Sequence, residues 1–337
     1  MPVLVTGASG HLGANLVRAL LAQGRSVRAL VHRDRRALEG LSLEIFSGNI
    51  LQTESMAEAT AGCDVVYHLA AGISLRRRDR SYLQTINVQG TRNVVQACLD
   101  QGVRRLIHIS SIHALQSKPM DVPMDEDRPL VIEDHAMPYD LSKAEAELEV
   151  RRGVEKGLDG VILNPTGIIG PYDFKPSHFG AVLIAMGLRK LPALIHGGFN
   201  WVDARDVSIG AIQAEAQAPP GSRYILAGHW VSVREIAKQV EEICGVPAPG
   251  LIAPMWLAIL GLPFAPLLFQ MGADRSLYSW TALCSLRANP RVSHAKASRE
   301  LEYQPRAISE TLKDTLRWFQ ENGYLEQKLQ HKSSEHA

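Results

Sequence analysis

Short apolar runs alternate with segments of helical periodicity along the first half of the chain. The runs are PVLVT, SVRALV, LEIFSG, DVVYHLA and RRLIHISS, and GLDGVILNPTGIIGP supplies a later one. Continuous apolar runs are typical of strands that are buried on both faces. The segments between them, among them HLGANLVRALLAQG and SYLQTINVQGTRNVVQACLDQG, carry apolar residues on one helical face. The pattern therefore predicts an α/β fold with a doubly wound parallel sheet.

The second half of the chain has a different pattern, because proline and glycine become frequent after Pro165. Stretches such as GPYDFKPSHFG and LPALIHGGF predict irregular loops with short helices. ARDVSIGAIQAEAQ predicts a helix near 204–217 that returns to the sheet, and SVREIAKQVEEICG and AISETLKDTLRWFQENG predict two more helices. We therefore expect a sheet domain at 1–165, a smaller and mostly helical domain at 166–325, and a disordered tail at 326–337.

Composition argues against several classes of protein. The chain has 337 residues and a formal net charge of +1, which gives little support to a nucleic-acid partner. Its four cysteines show no CxxC spacing and no histidine at metal spacing, so the sequence predicts neither a metal site nor a disulfide framework. The N-terminus begins directly with the first apolar run and shows no signal-peptide pattern. These features predict a cytoplasmic protein.

One uncharged stretch, residues 245–273, departs from this picture. Its most apolar part, 251–269, has the length of a membrane span. Three prolines and a glycine interrupt that part, and a proline in a helix interior costs about 3 kcal/mol. The sequence leaves three interpretations open: an apolar wall or lid of a substrate pocket, plain core, or contact with a membrane surface.

Gly7, Gly10 and Gly13 lie between the first predicted strand and the first predicted helix, in VLVTGASGHLG. In this context one glycine permits a tight turn, one lets the backbone approach a pyrophosphate, and one lets the helix pack closely on the strand. The free N–H groups at the helix N-terminus attract phosphate. The sequence therefore predicts a Rossmann-type dinucleotide-binding domain.

The end of the second predicted strand indicates which dinucleotide binds. A free ribose 2′-hydroxyl favours an acidic residue at this point, whereas a 2′-phosphate favours arginine. Val31 occupies the position expected for the carboxylate, and His32 and Arg33 follow it. Because Arg33 can form a charge-assisted pair with a phosphate, we expect NADP(H) to be preferred, with NAD(H) as the alternative. The neighbouring Asp34 is the feature that opposes this interpretation.

The segment MPYDLSKAEAELEV places Tyr139 and Lys143 one turn apart on the same face of a predicted helix. Such a pair can transfer protons, can belong to a solvated helix face, or can arise by coincidence. Coincidence has to be considered, because the same spacing recurs at Tyr324 and Lys328 in the polar tail. Only the first pair has other motifs around it.

Taken in order, TGASGHLG, HLAA, NVQGTRNV, ISS, YDLSK and NPTGIIGP resemble the extended short-chain dehydrogenase/reductase family, also called the NAD-dependent epimerase/dehydratase superfamily. The likeness covers nearly the whole chain, up to KASRELEYQPRAISETLKDTLRWF. Within the family, the chain is most similar to the branch of dihydroflavonol reductases, 3β-hydroxysteroid dehydrogenases and hopanoid-associated sugar epimerases.

The resemblance implies roles for three residues. Tyr139 would be the proton donor, Lys143 would hold the nicotinamide ribose and lower the tyrosine pKa, and Ser111, the second serine of ISS, would bind the reacting oxygen. A free tyrosine has a pKa of ~10, so action near neutral pH requires a shift of roughly 3 units, or ~4 kcal/mol. A close ammonium and the positive charge of an oxidised nicotinamide can supply much of that shift.

The resemblance also implies a wider set of ligand-binding residues. Asn87 is expected to make a structural hydrogen bond, and Asn49 stands where relatives usually have an aspartate that contacts adenine. The predicted cofactor-binding residues are Gly7, Ser9, Gly10, His11, Leu12, Gly13, His32, Arg33, Asn49, Ile50, Leu69, Ala70, Ala71, Asn87, Tyr139, Lys143, Pro165 and Thr166. The candidates for substrate contact, with core packing as the alternative, are His113, Tyr172, Phe174, His178 and Trp201.

Three functions remain open at this point. The leading hypothesis is an NADP(H)-dependent oxidoreductase that reduces a carbonyl, or oxidises an alcohol, of a fairly apolar small molecule by hydride transfer. The alternative is a sugar-nucleotide epimerase with tightly bound NAD(P), which Asn164 weakens because arginine often stands there in such relatives. A nucleotide-sensing module is the third, although such modules commonly lack the tyrosine or the lysine.

Two further expectations follow from the resemblance. A 4,6-dehydratase is disfavoured, because Ile112 and His113 replace the acidic pair that those relatives need. A homodimer is expected through the helices that contain SYLQTINVQGTRNVVQ and YDLSKAEAELEV.

Overall fold

The computed structural model describes residues 1–74, 76–257 and 289–326. Most of the uncharged stretch at 245–273 and of the tail at 326–337 therefore lies outside the described residues, as do Cys284 and Lys328. The strands, in chain order, are β1 (Val3–Thr6), β2 (Val27–Val31), β3 (Glu44–Ser47), β4 (Val65–His68), β5 (Arg105–Ile109), β6 (Gly160–Pro165), β7 (Gly167–Ile169), β8 (Leu194–Ile195), β9 (Gly198–Asp203), β10 (Arg223–Leu226), β11 (His229–Ser232) and β12 (Ile252–Ala253). The helices are α1 (His11–Ala22), α2 (Thr53–Thr60), α3 (Arg80–Leu83), α4 (Gly90–Asp100), α5 (Pro138–Glu155), α6 (His178–Gly187), α7 (Ala204–Gln217), α8 (Val233–Cys244), α9 (Ala295–Leu301) and α10 (Ile308–Glu321).

Seven of the described strands form one parallel sheet in the order β10-β6-β5-β4-β1-β2-β3. β1 is central, since Val3 pairs with Val27 of β2 on one side and with Val65 of β4 on the other. The strand order reverses next to β1, and in open α/β sheets ligands bind at the carboxyl ends of the strands at such a point. The predicted doubly wound parallel sheet is confirmed.

β1 is apolar throughout because its alternate side chains are buried on opposite faces of the sheet. Val3 and Val5 pack into a buried cluster with residues of α1 and α7, whereas Leu4 faces a second cluster with residues of α2, α4 and α5. All three side chains are fully buried. Helices therefore cover both faces of the sheet, which is the condition for a continuous apolar run.

The long helix expected between β4 and β5 is interrupted. A π-helical segment, Gln84–Gln89, separates α3 from α4. Just after it, Gly90 lets α4 approach Ile50, because a Cβ atom at this glycine would lie 2.6 Å from Ile50 Cδ1. The interrupted turn carries Asn87, which is buried and directed toward the site described below.

The region after β6 contains strands that the sequence pattern did not predict. β11, β9 and β7 form a second sheet, and β12 pairs with β8. Residues of these strands and of α6, α8 and α10 share a separate buried cluster. α7, in contrast, packs on α1 and β5. Within the described ranges, no helix has both the length and the apolar character needed to cross a membrane.

Candidate functional site

The glycine loop between β1 and α1 is closely packed on two sides and open on the third. Gly7 has a φ of +69°, and a Cβ atom there would lie 2.7 Å from the Ala70 nitrogen. A Cβ atom at Gly13 would lie 2.1 Å from the Gly7 carbonyl oxygen, so only glycine allows this approach of helix and loop. A Cβ atom at Gly10 would approach only the Gly7 carbonyl oxygen, at a distance of 3.3 Å. No side chain caps α1, so its first N–H groups are available to a ligand.

This loop fits a dinucleotide pyrophosphate. The open face at Gly10 is where a backbone can approach phosphate, and the uncapped N-terminus of α1 offers donors and partial positive charge. His11 fixes the loop to the segment after β7, because its Nε2 lies 3.1 Å from the Gly170 oxygen and 3.2 Å from the Pro171 oxygen.

The basic cluster after β2 contains one arginine whose side chain is available. Asp34 forms an ion pair with Arg36 at 2.6 Å, and this hydrogen-bonded partner lowers the pKa of Asp34 to about 2. Arg35 donates to Ser47 Oγ at 2.8 Å. Arg33 is exposed and makes no hydrogen bond or ion pair with another described residue. The structure thus ties Asp34, the feature that opposed NADP(H), to a different arginine.

Two predicted cofactor residues lie at the carboxyl end of β3 and stabilise the loop there. Asn49 Oδ1 accepts a hydrogen bond from the Leu51 nitrogen at 3.0 Å. Ile50 is buried, and its carbonyl oxygen accepts from Asn93 Nδ2 at 3.0 Å. In the described structure the Asn49 side chain therefore shapes its own turn, and its amide nitrogen remains the group that can face a base.

Ser111, Tyr139 and Lys143 come together at the carboxyl ends of β5 and β6. Lys143 lies on α5, is buried, and donates from Nζ to the Ile109 carbonyl oxygen at 2.9 Å. Ser111 Oγ accepts the His113 backbone N–H at 3.2 Å, which leaves the serine hydroxyl proton free for another acceptor. Tyr139, half-buried, lies one helical turn before Lys143, and its hydroxyl is close enough to Ser111 for the serine side chain to influence its pKa.

Burial controls the protonation of this group. The pKa of Tyr139 is not lowered, as the resemblance implied, but raised by burial to about 12, although the Ser111 side chain acts in the opposite direction. Burial also lowers the pKa of Lys143 to about 8, and the carboxylate of Glu147 opposes that change. At neutral pH the phenol is therefore protonated and the ammonium is charged. This combination suits donation of a proton from Tyr139.

A fully buried carboxylate behind the three residues was missed at the sequence level. Glu147 accepts hydrogen bonds from Asn164 Nδ2 at 2.6 Å and from the Arg223 guanidinium at 2.5 Å. The same Asn164 nitrogen donates to the Ser111 carbonyl oxygen at 2.8 Å. Glu147 follows Lys143 by four residues, and this spacing on one helix face is a signal that could have revealed it.

Asn87 connects the loop after β4 to the helix of Tyr139. Its side chain accepts from the Gly72 nitrogen at 2.7 Å and donates to the Gly72 oxygen at 3.0 Å. It also donates to Ser142 Oγ at 2.9 Å, and Ser142 in turn donates to the Tyr139 carbonyl oxygen at 2.8 Å. These bonds are those of a structural residue.

A cavity of about 740 Å³ extends from the glycine loop past Ser111, Tyr139 and Lys143. Its far walls come from the second sheet, from α6 and from the loop after β5, and they are mostly apolar. Of the described residues that line the cavity, Lys143 is the only lysine or arginine. The apolar wall residues include Leu115, Met124, Val131, Met137, Phe179, Val182, Met186, Leu191, Leu194, Phe199, Trp201 and Val292.

The cavity contains most, but not all, of the predicted ligand residues. His113, His178 and Trp201 line it, whereas Tyr172 and Phe174 do not appear in its described wall. Those two rings pack instead with Trp318, and the Arg18 guanidinium lies 4.3 Å above the Tyr172 ring. The cofactor residues in the wall are Gly7, Gly10, His11, Leu12, Gly13, Leu69, Ala71, Tyr139, Lys143, Pro165 and Thr166, and those outside it are Ser9, His32, Arg33, Asn49, Ile50, Ala70 and Asn87.

Comparison with known proteins gives consistent relatives. The model of a family described as the NAD dependent epimerase/dehydratase family matches residues 3–226. Sterol demethylase protein B of Methylococcus capsulatus is 34% identical over 331 residues, which cover 96% of this chain and 100% of that protein. A 3-beta-hydroxysteroid dehydrogenase of Mycolicibacterium neoaurum is 29% identical, over 90% of this chain and 87% of that protein. The crystal structure of gox2253 has a TM-score of 0.84 and 32% identity, over 96% of this chain and 99% of that chain.

Proposed function

Because the chain belongs to the NAD-dependent epimerase/dehydratase family of extended short-chain dehydrogenases/reductases, we propose that it is an NADP(H)-dependent oxidoreductase for an apolar carbonyl compound. The family predicted from the motifs is confirmed, and with it an NAD(P)-dependent enzyme of the short-chain dehydrogenase/reductase type. The direction of the reaction, the choice of NADP(H) and the apolar substrate are the proposal.

The observation that carries the proposal is the lining of the cavity. A sugar nucleotide brings a diphosphate, which proteins usually bind with arginine or lysine in charge-assisted pairs. The described wall offers Lys143 alone, and that residue lies beside Tyr139 at the carboxyl end of β5. Leucine, methionine, phenylalanine and tryptophan side chains instead surround the space next to Tyr139. A largely hydrocarbon substrate would gain ~25 cal/mol for each Å² that it buries there.

The names of the two relatives support the same substrate class. One is a sterol demethylase protein and the other a hydroxysteroid dehydrogenase. Both names refer to compounds with a large apolar ring system. These names therefore favour an apolar alcohol or ketone over a sugar nucleotide for this chain.

The residues of the chain would act as follows. The bound nicotinamide supplies or accepts a hydride at the carbinol carbon. Ser111 donates its free hydroxyl proton to the carbonyl oxygen, where negative charge develops during reduction. Tyr139, protonated at neutral pH, completes the alcohol by giving its proton to the same oxygen. Lys143 stays charged through its proximity to Glu147 and stabilises the tyrosinate that remains.

Arg33 is the basis for proposing NADP(H). It is exposed at the carboxyl end of β2 and has no competing partner in the described part of the chain. A ribose 2′-phosphate at this point would form a charge-assisted pair with it. We also propose that the other residues predicted to bind the cofactor do so, including those that lie outside the cavity wall.

Three coarser expectations accompany the proposal. We propose a sheet domain at 1–165 that binds the nucleotide and a second domain at 166–325 that holds the substrate. We also propose that the protein is located in the cytoplasm.

We further propose a homodimer formed through α3, α4 and α5. Within one chain, α4 and α5 lie side by side and are joined by the ion pair between Arg92 and Glu149 at 2.8 Å. Sedimentation velocity would test the proposed dimer.

One set of assays tests the proposed function. The protein is purified and denatured, the released nucleotide is identified, and the nucleotide-free protein is titrated with NADPH and NADH. Reduction of 4-tert-butylcyclohexanone, 2-tetralone and 5α-androstan-3-one is then followed through NADPH absorbance. Tighter binding of NADPH and reduction of at least one ketone are expected. Stoichiometric retained NAD with turnover of a UDP-sugar and of no ketone would contradict the proposal and favour an epimerase.

A further inference from the structure

A histidine and a carboxylate beside Tyr139 have no part in hydride transfer. His113 lies two residues after Ser111 in the short helical turn Ile112–Ala114, and Asp140 directly follows Tyr139. His113 Nδ1 is 3.4 Å from Asp140 Oδ1. Both residues line the cavity, and about a third of each side chain is exposed, 31% and 27%.

Three neighbours hold the imidazole in one orientation. Its plane lies nearly parallel to the Phe199 ring, at 14°, with the centroids 5.9 Å apart. The Tyr139 ring approaches it edge-on, with a centroid separation of 6.0 Å. With Nδ1 turned toward Asp140, Nε2 lies on the opposite side of the ring, and it has no hydrogen-bond partner among the described residues.

This arrangement has the parts of a general base. A carboxylate on one ring nitrogen orients the imidazole and leaves the other nitrogen as the acceptor. At 3.4 Å the two groups lie within ion-pair distance without forming a hydrogen bond, and catalytic contacts of this kind are often long in ligand-free sites and shorten when substrate binds. We infer that His113, oriented by Asp140, removes a proton from the carbon next to the carbonyl that Ser111 and Tyr139 hold. The inference rests on the proposed function, because it requires a bound ketone.

The step is redox-neutral. The α-C–H bond breaks and its proton passes to His113 Nε2. The electron pair of that bond forms the C=C bond of an enolate, and the carbonyl π electrons move to the oxygen, which accepts hydrogen bonds from Ser111 and Tyr139. Return of a proton from His113 to the same face restores the ketone, with its hydrogen exchanged for one from solvent. The protein would thus exchange the α-hydrogen of the ketones that it reduces.

Deuterium incorporation tests the inference without hydride transfer. Each ketone of the panel is incubated in D₂O with the full-length protein, with NADP⁺ and without nucleotide, and α-deuterium is measured by mass spectrometry above the buffer rate. General-base catalysis contributes roughly 10²–10⁴-fold. We therefore expect His113→Gln to lose about 100-fold or more in exchange rate and proportionately much less in reduction. Asp140→Asn should show an intermediate loss.

Controls separate a catalytic role from a structural one. Added imidazole should restore part of the exchange in His113→Gln, which a merely misfolded variant would not show. His196→Gln, at an exposed histidine outside the described cavity wall, should exchange like the wild type. A ketone that is reduced but shows no exchange dependent on His113 overturns the inference and leaves the proposed function intact. Failure to reduce any panel ketone overturns the proposed function, and the inference with it.

Discussion

The charge of Lys143 depends on its buried neighbours. Burial lowers its pKa to about 8, and the nearby Glu147 carboxylate raises it. The two histidines of the adjoining strands, His68 and His108, have pKa values lowered by burial, that of His68 to about 3. Both histidines are therefore uncharged at neutral and alkaline pH. The Glu147 carboxylate is the neighbouring charge that shifts the pKa of Lys143.

Replacement of Glu147 by glutamine should change the pH dependence of reduction. Without the carboxylate the pKa of Lys143 falls further below its ordinary value, so the ammonium is lost at a lower pH. The alkaline limb of the kcat/KM profile should therefore move to lower pH. The variant should also be less stable, by roughly 3–5 kcal/mol, because Arg223 loses its buried partner.

Glu149→Gln is the matched control, since Glu149 lies on the same helix and pairs with the more exposed Arg92 and Arg152. Its pH profile should equal that of the wild type. An unchanged alkaline limb in folded Glu147→Gln would contradict the role given to this carboxylate.

Arg33 allows a second test at the scale of one residue. A hydrogen bond to a charged group is worth ~1.5–3 kcal/mol, and each 1.4 kcal/mol is tenfold in affinity. Arg33→Ser should therefore weaken NADPH binding by roughly 10–100-fold and leave NADH binding unchanged. The measurement is fluorescence titration with both nucleotides.

Arg36→Ser provides the comparison, because Arg36 is already paired with Asp34. It should change the NADPH affinity much less than Arg33→Ser does. If both variants bind NADPH as tightly as the wild type does, the 2′-phosphate does not pair with Arg33.

The residue scale also shows how far sequence reasoning reaches. Ser111 and the glycines directly follow recognisable strands, and Tyr139 and Lys143 lie one turn apart at the start of a predicted helix, so their motifs could be located. Glu147 could have been found from its spacing after Lys143. Arg223 could not, because it is 76 residues away and becomes a partner only through strand pairing.

At the scale of elements, two substitutions in the glycine loop distinguish an effect on folding from an effect on nucleotide binding. Gly13→Ala places its Cβ atom 2.1 Å from the Gly7 oxygen, so the loop or α1 must shift. Overpacking of this kind typically costs about 1–3 kcal/mol, and a lower melting temperature is expected together with loss of nucleotide binding.

Gly10→Ala should behave differently from Gly13→Ala. Its Cβ atom would meet only the Gly7 oxygen, at 3.3 Å, but would enter the face offered to the pyrophosphate. We expect a melting temperature near that of the wild type and weaker binding of both NADPH and NADH. Calorimetry and titration check the pair, and normal nucleotide binding by Gly10→Ala would show that the pyrophosphate does not use this face.

The elements themselves were only partly predictable. Six strands of the main sheet follow from apolar runs, but β10 does not, because RYIL is short and follows PPGS. The second sheet was missed for a related reason. β7 and β11 have three and four residues, β9 begins in a glycine-rich stretch, and tertiary contacts such as the stacking of Phe179 on Trp201 at 3.8 Å contribute to their environment.

At the scale of the whole molecule, the two parts of the chain contribute different chemistry to one cavity. The main sheet supplies the glycine loop, Ser111, Tyr139 and Lys143, and the region after β6 supplies most of the apolar wall. The sequence predicts the first contribution through its motifs. The second depends on where short strands and α6 meet, which no local pattern encodes.

The most direct test of this account follows a labelled hydride. NADPH deuterated at C4 of the nicotinamide is mixed with the protein and 5α-androstan-3-one, and the released alcohol is examined by mass spectrometry. The account predicts deuterium at the carbinol carbon, with one NADPH consumed for each alcohol formed. If ketones of the panel yield no labelled alcohol while a UDP-sugar is epimerised without net consumption of nucleotide, the protein is an isomerase and the account is wrong.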